Sequence, residues 1–217
     1  MKKMKAASPS KSLVHGLYAI TPDLADTARL CTMVEASILG GATIVQYRNK
    51  LADSKLRISQ SQALLAICRK HAIPLIINDH IKLCLTLDAD GVHLGKVDGS
   101  LDAARARLGP DKILGASCYN QFELAEQAQA HGADYVAFGA CFPSSTKPNA
   151  PRAEAALFTQ AKNSLNIPSV AIGGITLDNA ALLINAGANA IAVISALWET
   201  PNTQASAQQF SNLFKTT

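Results

Sequence analysis

Short apolar runs alternate along this chain with longer segments of helical spacing. The first run, residues 17–21 (LYAIT), ends at Pro22-Asp23; helical periodicity then predicts a helix over 24–39, stopped by Gly40-Gly41. A β-branched run at 43–50 (TIVQYRNK) leads into a predicted helix over 53–71, with Asp53 or Ser54 as N-cap. Further strands are predicted at 74–79, 91–95, 113–118, 135–140, 169–174 and 190–195. Helices are predicted between them at 80–87, 100–108, 120–131, up to 164, and 177–185, with a last one at 203–214. The returns into strands share a form: GGAT at Gly40, DADG at Asp88, HGAD at His131 and NAGAN at Asn185. Strict alternation implies a parallel sheet with right-handed crossovers. About eight such units in 217 residues imply one α/β domain, a closed (β/α)8 TIM barrel over 13–217, with its active site at the C-terminal ends of the strands. An open doubly wound sheet is the weaker alternative, because no GxGxxG follows the first strand.

Residues 43–50 set up the chemistry. In an extended strand Gln46, Arg48 and Lys50 share one face, each step of two advancing roughly 6.6 Å. A parallel strand covered by helices is apolar on both faces. Three polar groups on one face then cost desolvation unless a ligand or water meets them. An exposed edge strand with a solvated face is the competing reading. Polar groups at the other predicted strand ends weigh against it: Asn78-Asp79, Lys96 and Asp98, Ser117, Ser144 to Lys147, Gly173-Gly174 and Ser195. Barrel closure would gather all of them at one mouth.

Composition narrows the field. Hydrophobic residues make up 48% and charged ones 17%, which is enough core material for one such barrel. A dispersed net charge of +4 makes no case for a nucleic-acid partner. Five cysteines without CxxC or His-rich spacing are expected to be reduced and mostly buried, in a cytoplasmic, reducing compartment. No run approaches the roughly 18 apolar residues of a membrane span. MKKMKAASPSKS lacks an apolar h-region, so no secretory signal is expected, and residues 1–12 read as a flexible tail.

Two chemistries can be read at the mouth. Asp79 and Asp98 are hard oxygen ligands without a His or Cys partner, which suits Mg²⁺ bound by one or two carboxylates plus substrate phosphates. Each aspartate alone could equally cap the helix that follows. Arg48, Lys50 and Lys147 are cations around the pair, as a di- or triphosphate requires. The second site is Gly173-Gly174 with Ile194-Ser195, where loops after the last two strands of such barrels often hold a phosphate. Simple turn glycines are the plainer reading of that pair. Two anion sites imply two phosphorylated substrates or one bisphosphate. The loop at 141–152 is long enough to be functional or disordered.

Taken in order, VQYRNK, IINDH, GVHLGKVD, GASC, YVAFGACFPSSTK, VAIGG and VIS resemble the thiamine-phosphate synthase family along almost the whole chain. The resemblance implies a transferase joining 4-amino-2-methyl-5-(diphosphooxymethyl)pyrimidine to a thiazole monophosphate, with release of pyrophosphate. It assigns Gln46, Arg48, Lys50, Asn78, Ser117 and Lys147 to the pyrimidine diphosphate, and Asp79 and Asp98 to Mg²⁺. It assigns Ser144, Thr146, Gly174, Ile194 and Ser195 to the thiazole phosphate. Ser144 stands where the family more often has threonine, and Lys96 where it usually has glutamine. The implied mechanism is dissociative: pyrophosphate leaves, drawn off by Mg²⁺, Arg48, Lys50 and Lys147, and the thiazole nitrogen attacks the resulting cation. No protein nucleophile is needed, in keeping with the lack of an obvious Ser–His or Cys–His pair. His93 is expected to pack within the barrel.

Two rival readings stand beside this one. A synthase-like thiazole tautomerase would need no diphosphate apparatus. A non-catalytic phosphate-ligand-binding barrel would need no Mg²⁺ pair facing a leaving group. The sequence leaves the oligomeric state open.

Overall fold

The computed structural model describes residues 14–95, 98–143 and 152–215. The expected tail at 1–12 therefore lies outside the described residues. Eight parallel strands close a barrel in chain order: β1 (Gly16–Ile20), β2 (Ala42–Tyr47), β3 (Leu75–Asn78), β4 (Gly91–Leu94), β5 (Ile113–Tyr119), β6 (Tyr135–Phe138), β7 (Ser169–Ile172) and β8 (Ala190–Val193). Around it run α1 (Thr27–Leu39), α2 (Ser54–Lys70), α3 (Ile81–Leu87), α4 (Leu101–Leu108), α5 (Phe122–Ala130), α6 (Ala155–Ser164) and α7 (Leu177–Asn185), then α8 (Ser195–Trp198) and α9 (Thr203–Asn212).

Local chemistry sets the helix ends. The Asp53 side chain accepts from the Leu56 N–H at 2.7 Å and so caps α2, as its sequence position predicts. The first helix starts at Thr27 rather than at the expected Leu24, because Asp26 forms its cap, accepting from the Arg29 N–H at 3.0 Å. His71 and His131 close α2 and α5 and pair with Glu35 and Asp102 at the surface. The five cysteines are free thiols, four of them buried.

The strands alternate faces, which gives the barrel two apolar layers. Leu17, Ala19, Val45, Leu75, Ile77 and Val92 pack outward against the helices. Tyr18, Ile20, Ile44, Ile76, Ile113, Tyr135 and Val170 fill the interior. Gln46, Asn78, His93 and Ser117 fall on that inward series one or two steps further along their strands.

Most strands end earlier than the apolar pattern predicts. The structure stops β2 at Tyr47, β3 at Asn78, β7 at Ile172 and β8 at Val193. Arg48, Lys50, Asp79, Gly173 and Gly174 therefore lie in the turns just past the sheet, and Ser195 begins α8. The expected strand face carrying Gln46, Arg48 and Lys50 holds only for Gln46. The ladder of hydrogen bonds ends where side chains must turn to the mouth. The short α8, which holds Ser195, had no clear periodic signal, since four residues make barely one turn.

Candidate active site

The exit of β2 is fixed by the end of β1. The Thr21 hydroxyl donates to the Arg48 carbonyl at 2.8 Å and accepts from the Arg48 N–H at 2.8 Å. Asp23 accepts from the Lys50 N–H at 2.7 Å and pairs with the Arg48 guanidinium at 3.3 Å. Asn49 turns inward, its side-chain oxygen accepting from the N–H groups of Leu51 and Ala52 at 3.1 Å each. Lys50 is thereby left exposed beside a half-buried Arg48. Thr21, Asp23 and Asn49 were not among the expected site residues. The polar end of LYAIT-Pro-Asp was the available signal.

A cavity of ≈ 230 Å³ opens at this exit, lined by Arg48, Lys50, Arg57, Asn78, Asp79 and His80. Arg57, from the first turn of α2, adds a cation that the sequence reading missed. Its guanidinium donates to the Ala52 carbonyl at 2.7 Å. Burial and this neighbouring charge hold His80 below the usual imidazole range. Three cationic side chains, Arg48, Lys50 and Arg57, thus share a small space with one carboxylate.

Asp79 sits in the left-handed region at φ 64. Its N–H bonds the His93 carbonyl at 2.9 Å, which holds the strained residue in place. It does not cap α3, whose N-cap is His80. Asp98 does not cap α4 either; that position is Ser100, and Asp98 accepts instead from the Gly95 N–H at 2.7 Å. The two carboxyls meet. Burial first, then the Asp98 charge and a hydrogen bond between the two groups, raise the Asp79 carboxyl to about 6 from 3.8, against Lys50 and Arg48. Two carboxylates that resist sharing one place are a donor set for a hard divalent cation. Among the described residues no cluster of three or more His, Cys, Asp or Glu could hold a metal, so protein ligation would stop at this pair. A pair fits Mg²⁺, which keeps waters and substrate phosphates in its remaining positions.

Gln46 and Ser117 line the barrel interior below this rim. Gln46 is buried, and its amide donates to the Tyr18 hydroxyl at 2.8 Å. Ser117 bonds His93 Nε2 at 2.9 Å, and His93 Nδ1 bonds the Tyr135 hydroxyl at 2.9 Å. Burial lowers the His93 imidazole to about 4, so it is neutral at pH 7. It packs within the barrel, as expected from its position. Ser117 also borders a second cavity of ≈ 210 Å³, which runs between α4 and α5 to Asp102 and His131.

On the opposite rim Gly173 and Gly174 take φ 99 and 64 after β7. A Cβ on Gly174 would stand 2.5 Å from the Pro143 carbonyl oxygen and 2.7 Å from that of Phe142. This glycine therefore makes room for the loop after β6, a reason for it that the sequence does not display. Ile194 follows β8 as the N-cap of α8, which begins at the exposed Ser195. The structure brings Gln46, Arg48, Lys50, Asn78, Asp79, Asp98, Ser117, Gly174, Ile194 and Ser195 to one end of the barrel. Lys96, Ser144, Thr146 and Lys147 lie outside the described residues.

A (β/α)8 barrel with its cations, paired carboxylates and glycine turns at one mouth is an enzyme scaffold of the kind that handles anionic ligands. The family model for thiamine monophosphate synthase matches residues 17–197. A thiamine-phosphate synthase of Methylobacillus flagellatus is 61% identical over 201 residues, covering 93% of this chain and 96% of the relative. One from Aromatoleum aromaticum is 50% identical, covering 93% and 97%. The solved thiamine phosphate pyrophosphorylase of Pyrococcus furiosus superposes with a TM-score of 0.82 at 31% identity, covering 95% of this chain and 98% of that one. The chain belongs to the thiamine monophosphate synthase family, whose members are transferases. No described helix is long and apolar enough to cross a membrane.

Proposed function

We propose that this chain condenses a 4-aminopyrimidine carrying a diphosphooxymethyl group with a thiazole monophosphate, giving thiamine monophosphate and pyrophosphate. The observation that supports this most is the division of the mouth into two anion-handling rims. Arg48, Lys50, Arg57, Asp79 and Asp98 stand after β2 to β4, with Asn78 at the end of β3, and the glycine turn with Ile194-Ser195 stands after β7 and β8. Two phosphorylated substrates need two such places. A tautomerase acting on the thiazole phosphate alone would leave the first rim without a purpose. The whole of residues 13–217 serves this one activity in the cytoplasm.

Asp79 and Asp98 would hold Mg²⁺, which supplies charge neutralisation at the diphosphate when bound. Arg48, held against Asp23, presents a guanidinium whose orientation is set before substrate arrives. Lys50 and Arg57 add positive charge where the departing pyrophosphate gains negative charge. Gln46 and Ser117 orient the pyrimidine ring beneath. By resemblance to the family, Lys147 meets the diphosphate, and Ser144 and Thr146 meet the thiazole phosphate. No described residue need act as nucleophile, since the aminopyrimidine itself stabilises the cation left by the departing group.

The test is pyrophosphate release from the purified chain with Mg²⁺ and both substrates, each also omitted in turn. Release that requires both supports the condensation. Conversion of the thiazole phosphate alone, without pyrophosphate release, would establish the tautomerase instead.

A further inference from the structure

Three buried side chains in the barrel have no part in the reading above: Tyr18, Tyr135 and His93, exposed by 1%, 0% and 8%. They are joined end to end. Gln46 Nε2 donates to Tyr18 Oη at 2.8 Å, Tyr18 Oη lies 2.8 Å from Tyr135 Oη, Tyr135 Oη 2.9 Å from His93 Nδ1, and His93 Nε2 2.9 Å from Ser117 Oγ. The sheet register makes the line possible. His93 pairs with Gly115, and Gly115 with Tyr135. A Cβ on Gly115 would run into the Tyr135 ring, so only glycine lets the tyrosine lie across to stack on the imidazole, with centroids 5.5 Å apart at 25°.

The protons in this line can be counted. An amide nitrogen only donates, so Tyr18 Oη accepts from Gln46. Its own proton has one other partner among the described residues, Tyr135 Oη. Tyr135 accepts there and passes its proton to His93 Nδ1. An imidazole that accepts at Nδ1 carries its hydrogen on Nε2 and donates it to Ser117 Oγ. The Ser117 hydroxyl proton is then left for a group outside the line. At the other end the Gln46 carbonyl oxygen is left as an acceptor. Turning the Gln46 amide over would reverse every bond.

We propose that Tyr18, Tyr135 and His93 are positioning residues that fix the polarity of the two groups at the ends of the line, so that substrate meets Ser117 as a donor and Gln46 as an acceptor. This rests on the reading that both side chains meet the pyrimidine. A 4-aminopyrimidine offers the complement, a ring nitrogen that accepts beside an amino group that donates. A 4-oxo pyrimidine offers the reverse pattern, a carbonyl acceptor beside a ring N–H. The line therefore selects the amino over the oxo substrate, although none of its three members need touch either.

The direct test is ¹⁵N-histidine NMR of the full chain without substrate. His93 is expected as the Nε2–H tautomer; the Nδ1–H tautomer would overturn the proposal. This outcome does not depend on what reaction the chain performs, so the proposal and the proposed function fail separately. The kinetic test is Tyr135→Phe, which breaks the line at its centre and also removes the hydroxyl that Gln46 reaches beside Tyr18. KM for the pyrimidine diphosphate is expected to rise about tenfold, and preference for the amino over the 4-oxo diphosphate to fall by about as much, on the scale of one buried hydrogen bond. KM for the thiazole phosphate is expected to stay within about twofold. In a Ser117→Ala background the same change is expected to cost less than in the parent, because only the Gln46 end is then left for the line to set. Unchanged selectivity in Tyr135→Phe, or full additivity with Ser117→Ala, would refute the relay.

Discussion

Replacing Asp79 by asparagine is expected to stabilise the metal-free protein while disabling it. The carboxyl is raised to about 6 in the fold from 3.8, chiefly by burial and secondly by Asp98. A raised carboxyl means that the folded state holds its proton more tightly than the unfolded chain does. Its contribution to stability is therefore fully present at about pH 4 and below, and is lost as pH rises through about 6. Above that, Asp79 is charged while partly buried beside the Asp98 carboxyl. A shift of about two units corresponds to about 3 kcal/mol at 1.36 kcal/mol per unit. The group is partly open to solvent, so screening reduces the realised cost to about 1 kcal/mol. Asparagine keeps the shape, donates a hydrogen bond to Asp98 and carries no charge. In EDTA at pH 8, Asp79→Asn should melt about 2–4 °C above the parent, the shift that about 1 kcal/mol gives a chain of this size. At pH 4 the two proteins should melt together. With Mg²⁺ and pyrophosphate present the order should reverse, since only the parent can gain stability by binding both. Thermal melts across this pH range are the assay. A variant that is less stable than the parent at pH 8 in EDTA, or a difference that does not change with pH, would refute the account of the carboxylate pair.

At the proposed Asp79–Asp98 site Mg²⁺ would compete with a proton on Asp79, so its apparent affinity should weaken about tenfold per pH unit below about 6, and titration calorimetry with pyrophosphate present would measure it. EDTA should abolish turnover and added Mg²⁺ restore it; undiminished activity in metal-free buffer would remove the metal from the reaction. Gly174→Ala would force a side chain onto the Phe142 and Pro143 carbonyls at a left-handed φ, so KM for the thiazole phosphate should rise about tenfold more than KM for the pyrimidine diphosphate in steady-state assays. Far from the mouth, Arg105 donates to the carbonyls of Gly109, Lys112 and Gly132 and pairs with Asp134, which in turn accepts from the Leu114 N–H. Arg105→Ala removes the donor to those carbonyls and the cation beside the buried Asp134 carboxylate, and should cost about 3 kcal/mol in urea denaturation with little change in KM.

The alternation of strand and helix was legible in the sequence because it rests on local periodicity, which needs no partner to be read. The same holds for Asp53 as a cap, and for the positions of Gln46, Asn78, Asp79, Asp98 and Ser117 near the ends of apolar runs. These residues can be placed by counting alone. The early stop of β2 at Tyr47 could not be, because it depends on Thr21 and Asp23 capturing Arg48 and Lys50 from another strand. Nor could the role of Gly174, which is set by carbonyls from the loop after β6. Tyr18 and Tyr135 read as ordinary core aromatics; their hydroxyls meet across 117 positions only once eight strands close in one register. Periodicity decides which side of a strand a residue faces. Closure and register decide what it faces there, because that neighbour comes from a distant part of the chain and is bonded only at one spacing.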